Sequence, residues 1–171
     1  MTLRSLVLPL AALLLLTVSP TAAVEIQKVV TPKGITVWLV EDHAIPIIAV
    51  DYEFTGGALQ DPEGKEGLSY FASGLLNEGA GDLNALSFQK RLEDLAMRMS
   101  FEARHDMFHG SLMTLTANAK EAFELLKLAL TEPRFDADGV ERVRGQIATV
   151  LQGELERPHA VALRAWYRHV F

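Results

Sequence analysis

Twice along this chain the spacing of the apolar residues changes from every second position to every third or fourth, and that repeated switch constrains the fold more than any other feature. Val24 to Val30, Ile35 to Glu41 and Ile45 to Phe54 are rich in β-branched residues and are separated by Pro32-Lys33-Gly34 and Asp42-His43-Ala44. They predict three strands, the first two paired as a hairpin. In the second run Ile35, Val37 and Leu39 alternate with Thr36, Trp38 and Val40, which leaves both faces largely apolar and predicts an interior strand. Helical spacing follows at Leu68, Phe71, Ala72, Leu75 and Leu76, and the glycines of Asn77-Glu78-Gly79-Ala80-Gly81 end it. A second helix is expected from about Ala85 to Ala96, capped by Asn84 or Ser87, with Leu86, Leu92 and Leu95 inward. Alternation returns over Met99 to His105 and Met107 to Ala117, a second hairpin. Helical spacing then returns over Glu121 to Leu130, which Pro133 ends, and from Asp136 to about Arg157, which Pro158 interrupts. Strands, helices, strands and helices in that order give an α+β domain, a mainly antiparallel sheet with helices packed on one face.

Composition bears on where such a domain works. Arg4 precedes an apolar run, Leu6 to Val18, and Pro20 leads into the small residues Thr21-Ala22-Ala23, so residues 1–23 read as a secretory signal peptide cleaved after Ala23. The run is shorter than the roughly 20 residues a helix needs to cross a bilayer, so no stable membrane span is expected after cleavage. The chain contains no cysteine, which leaves packing alone to hold it and excludes thiolate zinc sites and cysteine nucleophiles. The formal net charge is −6, one unit more negative without Arg4, and the two signs are interspersed, so nucleic acid is not an expected partner. The final stretch, Val161 to Phe171, carries Trp166 and Tyr167. Such a segment left in water would expose a large apolar patch, so the domain is expected to be incomplete at its C-terminus.

The segment Gly56-Gly57-Ala58-Leu59-Gln60-Asp61-Pro62-Glu63-Gly64-Lys65-Glu66-Gly67-Leu68 resembles the entry to the active-site helix of the M16 (insulinase/pitrilysin-type) zinc peptidases. Gly34 to Val40 and the Asp42 to Val50 stretch with Pro46 look like the opening strands of that family, and the Phe135 helix and Pro158 look like its later landmarks. The resemblance covers nearly all of residues 24–171 and implies an M16 N-terminal-like domain. In active members the helix after Gly-Leu carries His-x-x-Glu-His, whose two imidazoles hold zinc while the carboxylate activates the bound water. Here, by the resemblance, the first His becomes Tyr70, the Glu becomes Ser73 and the second His becomes Gly74. A phenol with a pKa of about 10, an alcohol and a bare backbone cannot do that work, so no catalytic residue, no metal ligand and no cofactor is expected. The third ligand of the family falls near Val150 or Leu151, with Glu154 the nearest carboxylate.

What the resemblance implies is therefore a non-catalytic homologue. It would assemble as a heterodimer with a catalytic M16 paralogue, hold unfolded peptide, and reside in a periplasm. Its peptide-binding strand would comprise Ser100, Phe101, Glu102 and Ala103, with Ser100 and Phe101 where the family usually carries an Asn-Ala pair, so that contact to peptide would pass through the strand's backbone. The rival expectation is a peptidase with a rearranged metal site drawn from His105, His109, Glu78 and Glu154. His105 and His109 are four apart, but on a strand that spacing separates them by about 13 Å.

Overall fold

The computed structural model describes residues 25–170, so the expected signal peptide lies outside the described residues. The chain divides into two compact units, one ending at Ile45 and the other beginning at Pro46.

In the first unit, β1 (Ile26–Val30) and β2 (Thr36–Val40) form an antiparallel hairpin whose register runs from Ile26 opposite Val40 to Val30 opposite Thr36. Thr31 closes its turn, donating its N–H to the Ile35 carbonyl at 2.8 Å while its hydroxyl accepts the Ile35 N–H at 3.0 Å. Lys28 sits opposite Trp38, with its ammonium 5.7 Å from the indole centroid. The expectation of an interior strand is overturned: every residue of β2 is exposed, Trp38 at 66 %. Alternation reports the apolarity of the two faces and carries no information on whether anything covers them.

In the second unit, β3 (Ile47–Thr55), β6 (Arg98–Ala103) and β7 (Met107–Leu115) form one antiparallel sheet in the order β3-β7-β6. Its helices are α1 (Leu68–Leu75), α2 (Ala85–Asp94), α3 (Ala119–Thr131), α4 (Ala137–Glu156) and α5 (Pro158–Val170). A two-residue ladder, β4 (Gly79–Ala80) with β5 (Leu83–Asn84), joins α1 to α2 where the sequence predicted only a helix stop. The period-2 pattern sorts the sheet cleanly. Val50, Tyr52, Phe101, Phe108 and Leu112 join Phe88, Leu92, Leu95, Ala122, Leu125, Leu126 and Ala129 of the helices in one core. Asp51, Glu53, Ser100, Glu102 and Met113 stay exposed on the other face.

Two details correct the helix reading. Leu68 remains exposed, and in α2 Leu86 is 82 % exposed while Phe88 is fully buried. Once Asn84 Oδ1 accepts the Ser87 N–H at 2.9 Å, the helix phase is set, and Phe88, Leu92 and Leu95 at i, i+4 and i+7 share the core stripe, which excludes Leu86. Past the end of α2, the Leu95 carbonyl accepts from the buried Thr114 hydroxyl at 3.0 Å and from Asn118 Nδ2 at 2.8 Å, which ties α2 to β7 and the start of α3. Pro158 forces Arg157 into an extended conformation and starts α5 as its first residue.

Candidate functional site

The site is organised by the segment that introduces α1. Gly56 and Gly57 lie against the tip of the β6–β7 hairpin: the Gly56, Ala58 and Leu59 N–H groups donate to the Asp106, Arg104 and His105 carbonyls at 2.9, 2.9 and 2.8 Å. Gly57 has a φ of +97°, and a Cβ there would press into the Arg104 carbonyl oxygen, so only glycine permits this approach. Four residues on, the Asp61 carboxylate accepts the Gly67 N–H at 2.7 Å, the Ser69 N–H at 2.9 Å and the Ser69 hydroxyl. It thereby satisfies N–H groups at the start of α1 that no helix can satisfy itself. The Ser69 hydroxyl bond, joined by the backbone N–H groups, holds the Asp61 carboxyl below the usual carboxylate range. The same Ser69 hydroxyl lies 3.2 Å from the Gly57 carbonyl, so hairpin tip, loop and helix form one hydrogen-bonded unit.

Packing then brings α4 against α1. A Cβ added to Gly74 would stand 3.0 Å from Val143 Cγ1, and Val143 is 4 % exposed. The Arg142 guanidinium pairs with the Glu78 carboxylate beyond the end of α1, and this partner raises the arginine's pKa. Between α1, α4 and β6 opens a cleft of about 410 Å³. Tyr70, Ser73 and Gly74 line it from α1, Phe101 and Glu102 from β6, and Val143, Gln146, Ile147 and Val150 from α4.

The chemistry of this lining is sparse. Ser73 is buried and spends its hydroxyl on the Tyr70 carbonyl at 2.8 Å, a bond within its own helix. Glu102 is the one acidic residue at the lining, but its side chain turns to the opposite face of β6, where Arg104 pairs with it at 3.1 Å. Val150, 56 % exposed, lines the cleft, whereas Leu151 and Glu154 do not. Glu154 instead stands 4.0 Å from Arg157. A zinc ion does not fit these residues: Gly74 offers no donor and no room for one, Ser73 is engaged, and Val150 is apolar.

The rearranged set does not converge either. His105 is exposed at the hairpin tip, and His109 lies on β7 at 3.6 Å from Asp51 and 3.5 Å from Glu53. Glu78 is held by Arg142. Among the described residues no group of three or more His, Asp or Glu could hold a metal ion.

Of the four residues expected to meet peptide, the structure brings Phe101 and Glu102 to the cleft. Ser100 points to the other face, its hydroxyl 2.7 Å from that of Ser111, and Ala103 lies outside the lining. Sequence reasoning missed Val143, Gln146 and Ile147, although with Val150 they occupy i, i+3, i+4 and i+7 of α4, a stripe visible in the sequence. A larger cleft of about 500 Å³, lined by Gln89, Leu92, Glu93, Ala96, Met97, Arg98 and Met99, lies apart from α1 and has no residue singled out by the sequence motif.

The comparisons agree with this geometry. The chain is 30 % identical over 115 residues to the non-peptidase homologue YmxG of Helicobacter pylori, covering 67 % of this chain and 27 % of that protein. Its fold superposes on the crystal structure of a peptidase M16 inactive domain from Pseudomonas fluorescens with a TM-score of 0.73 and 25 % identity, over 81 % of this chain and 34 % of that one. This is an M16-like domain. The periplasmic protease PqqL of Escherichia coli shares the fold at a TM-score of 0.70 and 16 % identity, over 88 % of this chain and 18 % of that one. The M16-like chain thus spans about a quarter of the length of its curated relative. No protein-family model matches it.

Proposed function

We propose that this M16-like domain is the non-catalytic half of a two-subunit peptidase: it binds an extended segment of unfolded peptide along β6 and assembles with a catalytic M16 partner that supplies the zinc. The observation that carries the reading is a cleft lined by the positions equivalent to the family's zinc motif, without metal donors, next to a sheet edge. β6 is the outer strand of its sheet and pairs only with β7 among the described residues. An edge of this kind accepts a peptide by main-chain hydrogen bonds. The relative named a non-peptidase homologue and the inactive M16 domain support the absence of catalysis.

The setting proposed is a periplasm, with residues 1–23 removed as a signal peptide. It rests on the amino-terminal sequence pattern and on the fold shared with PqqL, a periplasmic protease. Among the described residues no helix is long and apolar enough to cross a membrane.

The test is co-purification of the tagged chain with a catalytic M16 subunit from the same organism, together with calorimetric titration of each with unfolded peptides. The expected result is a stable pair, peptide binding by this chain alone, and hydrolysis by the pair alone. Chelator-sensitive cleavage of casein by the isolated chain would overturn the reading, as would the absence of both partner and peptide binding.

A further inference from the structure

We infer that the cleft beside β6 has become a side-chain pocket that selects peptides by one bulky apolar residue, such as Leu, Met or Phe. This rests on the reading of β6 as a peptide-binding edge and adds the class of peptide it takes.

The argument begins with register. The β6–β7 hairpin closes on the Arg104 N–H bonded to the Met107 carbonyl at 2.8 Å, and the pairing continues as Glu102 opposite His109 and Ser100 opposite Ser111. Hydrogen-bonded and non-hydrogen-bonded pairs alternate along an antiparallel ladder, so Arg104, Glu102 and Ser100 turn their backbone groups toward β7. Met99, Phe101 and Ala103 turn theirs outward. A peptide strand added to this edge therefore bonds to Met99, Phe101 and Ala103, and its own side chains alternate between the two faces of the sheet. The residue set opposite Phe101 shares the face that Phe101 occupies, and Phe101 is a wall of the cleft.

What that residue meets is mainly apolar, although Ser73, Gln146 and Glu102 also border the cleft. Tyr70, Phe101, Ile147 and Val150 surround the space, which at about 410 Å³ is ample for a large side chain. No cationic residue lines it, so an acidic side chain would be desolvated without a partner. The one acidic residue, Glu102, turns its carboxylate to the other face, where Arg104 holds it at 3.1 Å, which leaves little to attract a lysine.

The experiment is fluorescence anisotropy with the purified chain and four labelled ten-residue peptides of extended, Ser/Thr-rich sequence that differ only at one central position: Leu, Ser, Asp or Lys. The Leu peptide should bind about tenfold more tightly than the Ser or Asp peptide, the scale set by burying one such side chain. Val150→Asp, at an exposed rim position, should bring the Leu-to-Ser affinity ratio close to unity, and Ile147→Ala should lower it in the same direction. Ala103→Pro, which removes an outward N–H and none of the bonds to β7, should weaken all four peptides together. Equal binding of the four, or a preference for Lys, overturns the pocket while leaving peptide binding intact. Failure of all four to bind removes the proposed function itself, and the pocket with it.

Discussion

The loop that leads into α1 and the first turns of α1 itself are neighbours in sequence and opposites in chemistry. From Gly56 to Ser69 the chain is held in place: the Gly56, Ala58 and Leu59 N–H groups bond the hairpin tip, and Asp61 satisfies the start of the helix. Of the next turn, Tyr70, Ser73 and Gly74 border a cleft and offer it little chemistry; Ser73 bonds its own helix and Gly74 makes room for Val143. The contrast teaches that the hold on a helix and the chemistry its side chains offer can be carried by different residues. The backbone of α1 is held by hydrogen bonds at its entry, so the side chains at Tyr70, Ser73 and Gly74 can vary without dismantling it.

That contrast is open to measurement. Its largest test is Gly57→Ala: the added methyl meets the Arg104 carbonyl at a positive φ, so chemical denaturation should give a loss of about 3 kcal/mol or more. A stability change below about 1 kcal/mol would mean the loop is not clamped to the hairpin as described. Next comes reconstruction of the lost motif by Tyr70→His, Ser73→Glu and Gly74→His together. The imidazole at position 74 must displace Val143, so the triple variant should lose about 2 kcal/mol and, after dialysis, carry no stoichiometric zinc by elemental analysis. Adding Val143→Ala and Val150→Glu, which supply room and a third ligand, should restore both stability and metal. Tight zinc in the triple variant alone would break the argument.

Asp61→Asn should have a smaller effect that depends on pH. The folded carboxyl titrates below its ordinary value of 3.8, so it stabilises the native state above that value and the contribution is lost as pH falls through the lower folded pKa. Melting temperatures of native chain and variant should therefore differ at neutral pH and converge in strong acid. A constant gap at every pH would assign the difference to something other than the charge. The smallest effect is expected for Ser73→Ala, within about 0.5 kcal/mol by denaturation, because its hydroxyl serves a helix carbonyl that is already bonded within the helix.

Much of this was legible before any coordinates. The β1–β2 and β6–β7 hairpins follow from alternation broken by turn residues, and the cap at Asn84 follows from its chemistry. The motif around Asp61 marked the entry to α1, and the side chains that Tyr70, Ser73 and Gly74 offer were plain from their identities. Other features were illegible for identifiable reasons. Leu86 and Phe88 are both apolar near a helix start, and only the cap geometry decides which of them faces the core. The α4 stripe of Val143, Gln146, Ile147 and Val150 is periodic in the sequence, but periodicity does not say which element it meets.

Local chemistry, written in the order of the residues, determined the strands, the helices, their caps and the loss of the metal donors, because each of those depends on a few neighbours along the chain. The cleft itself was decided only in three dimensions. It exists because Gly74 lets α4 come close to α1 while the Gly56–Gly57 clamp draws α1 alongside an edge strand, and contacts between residues that distant in sequence are fixed by packing.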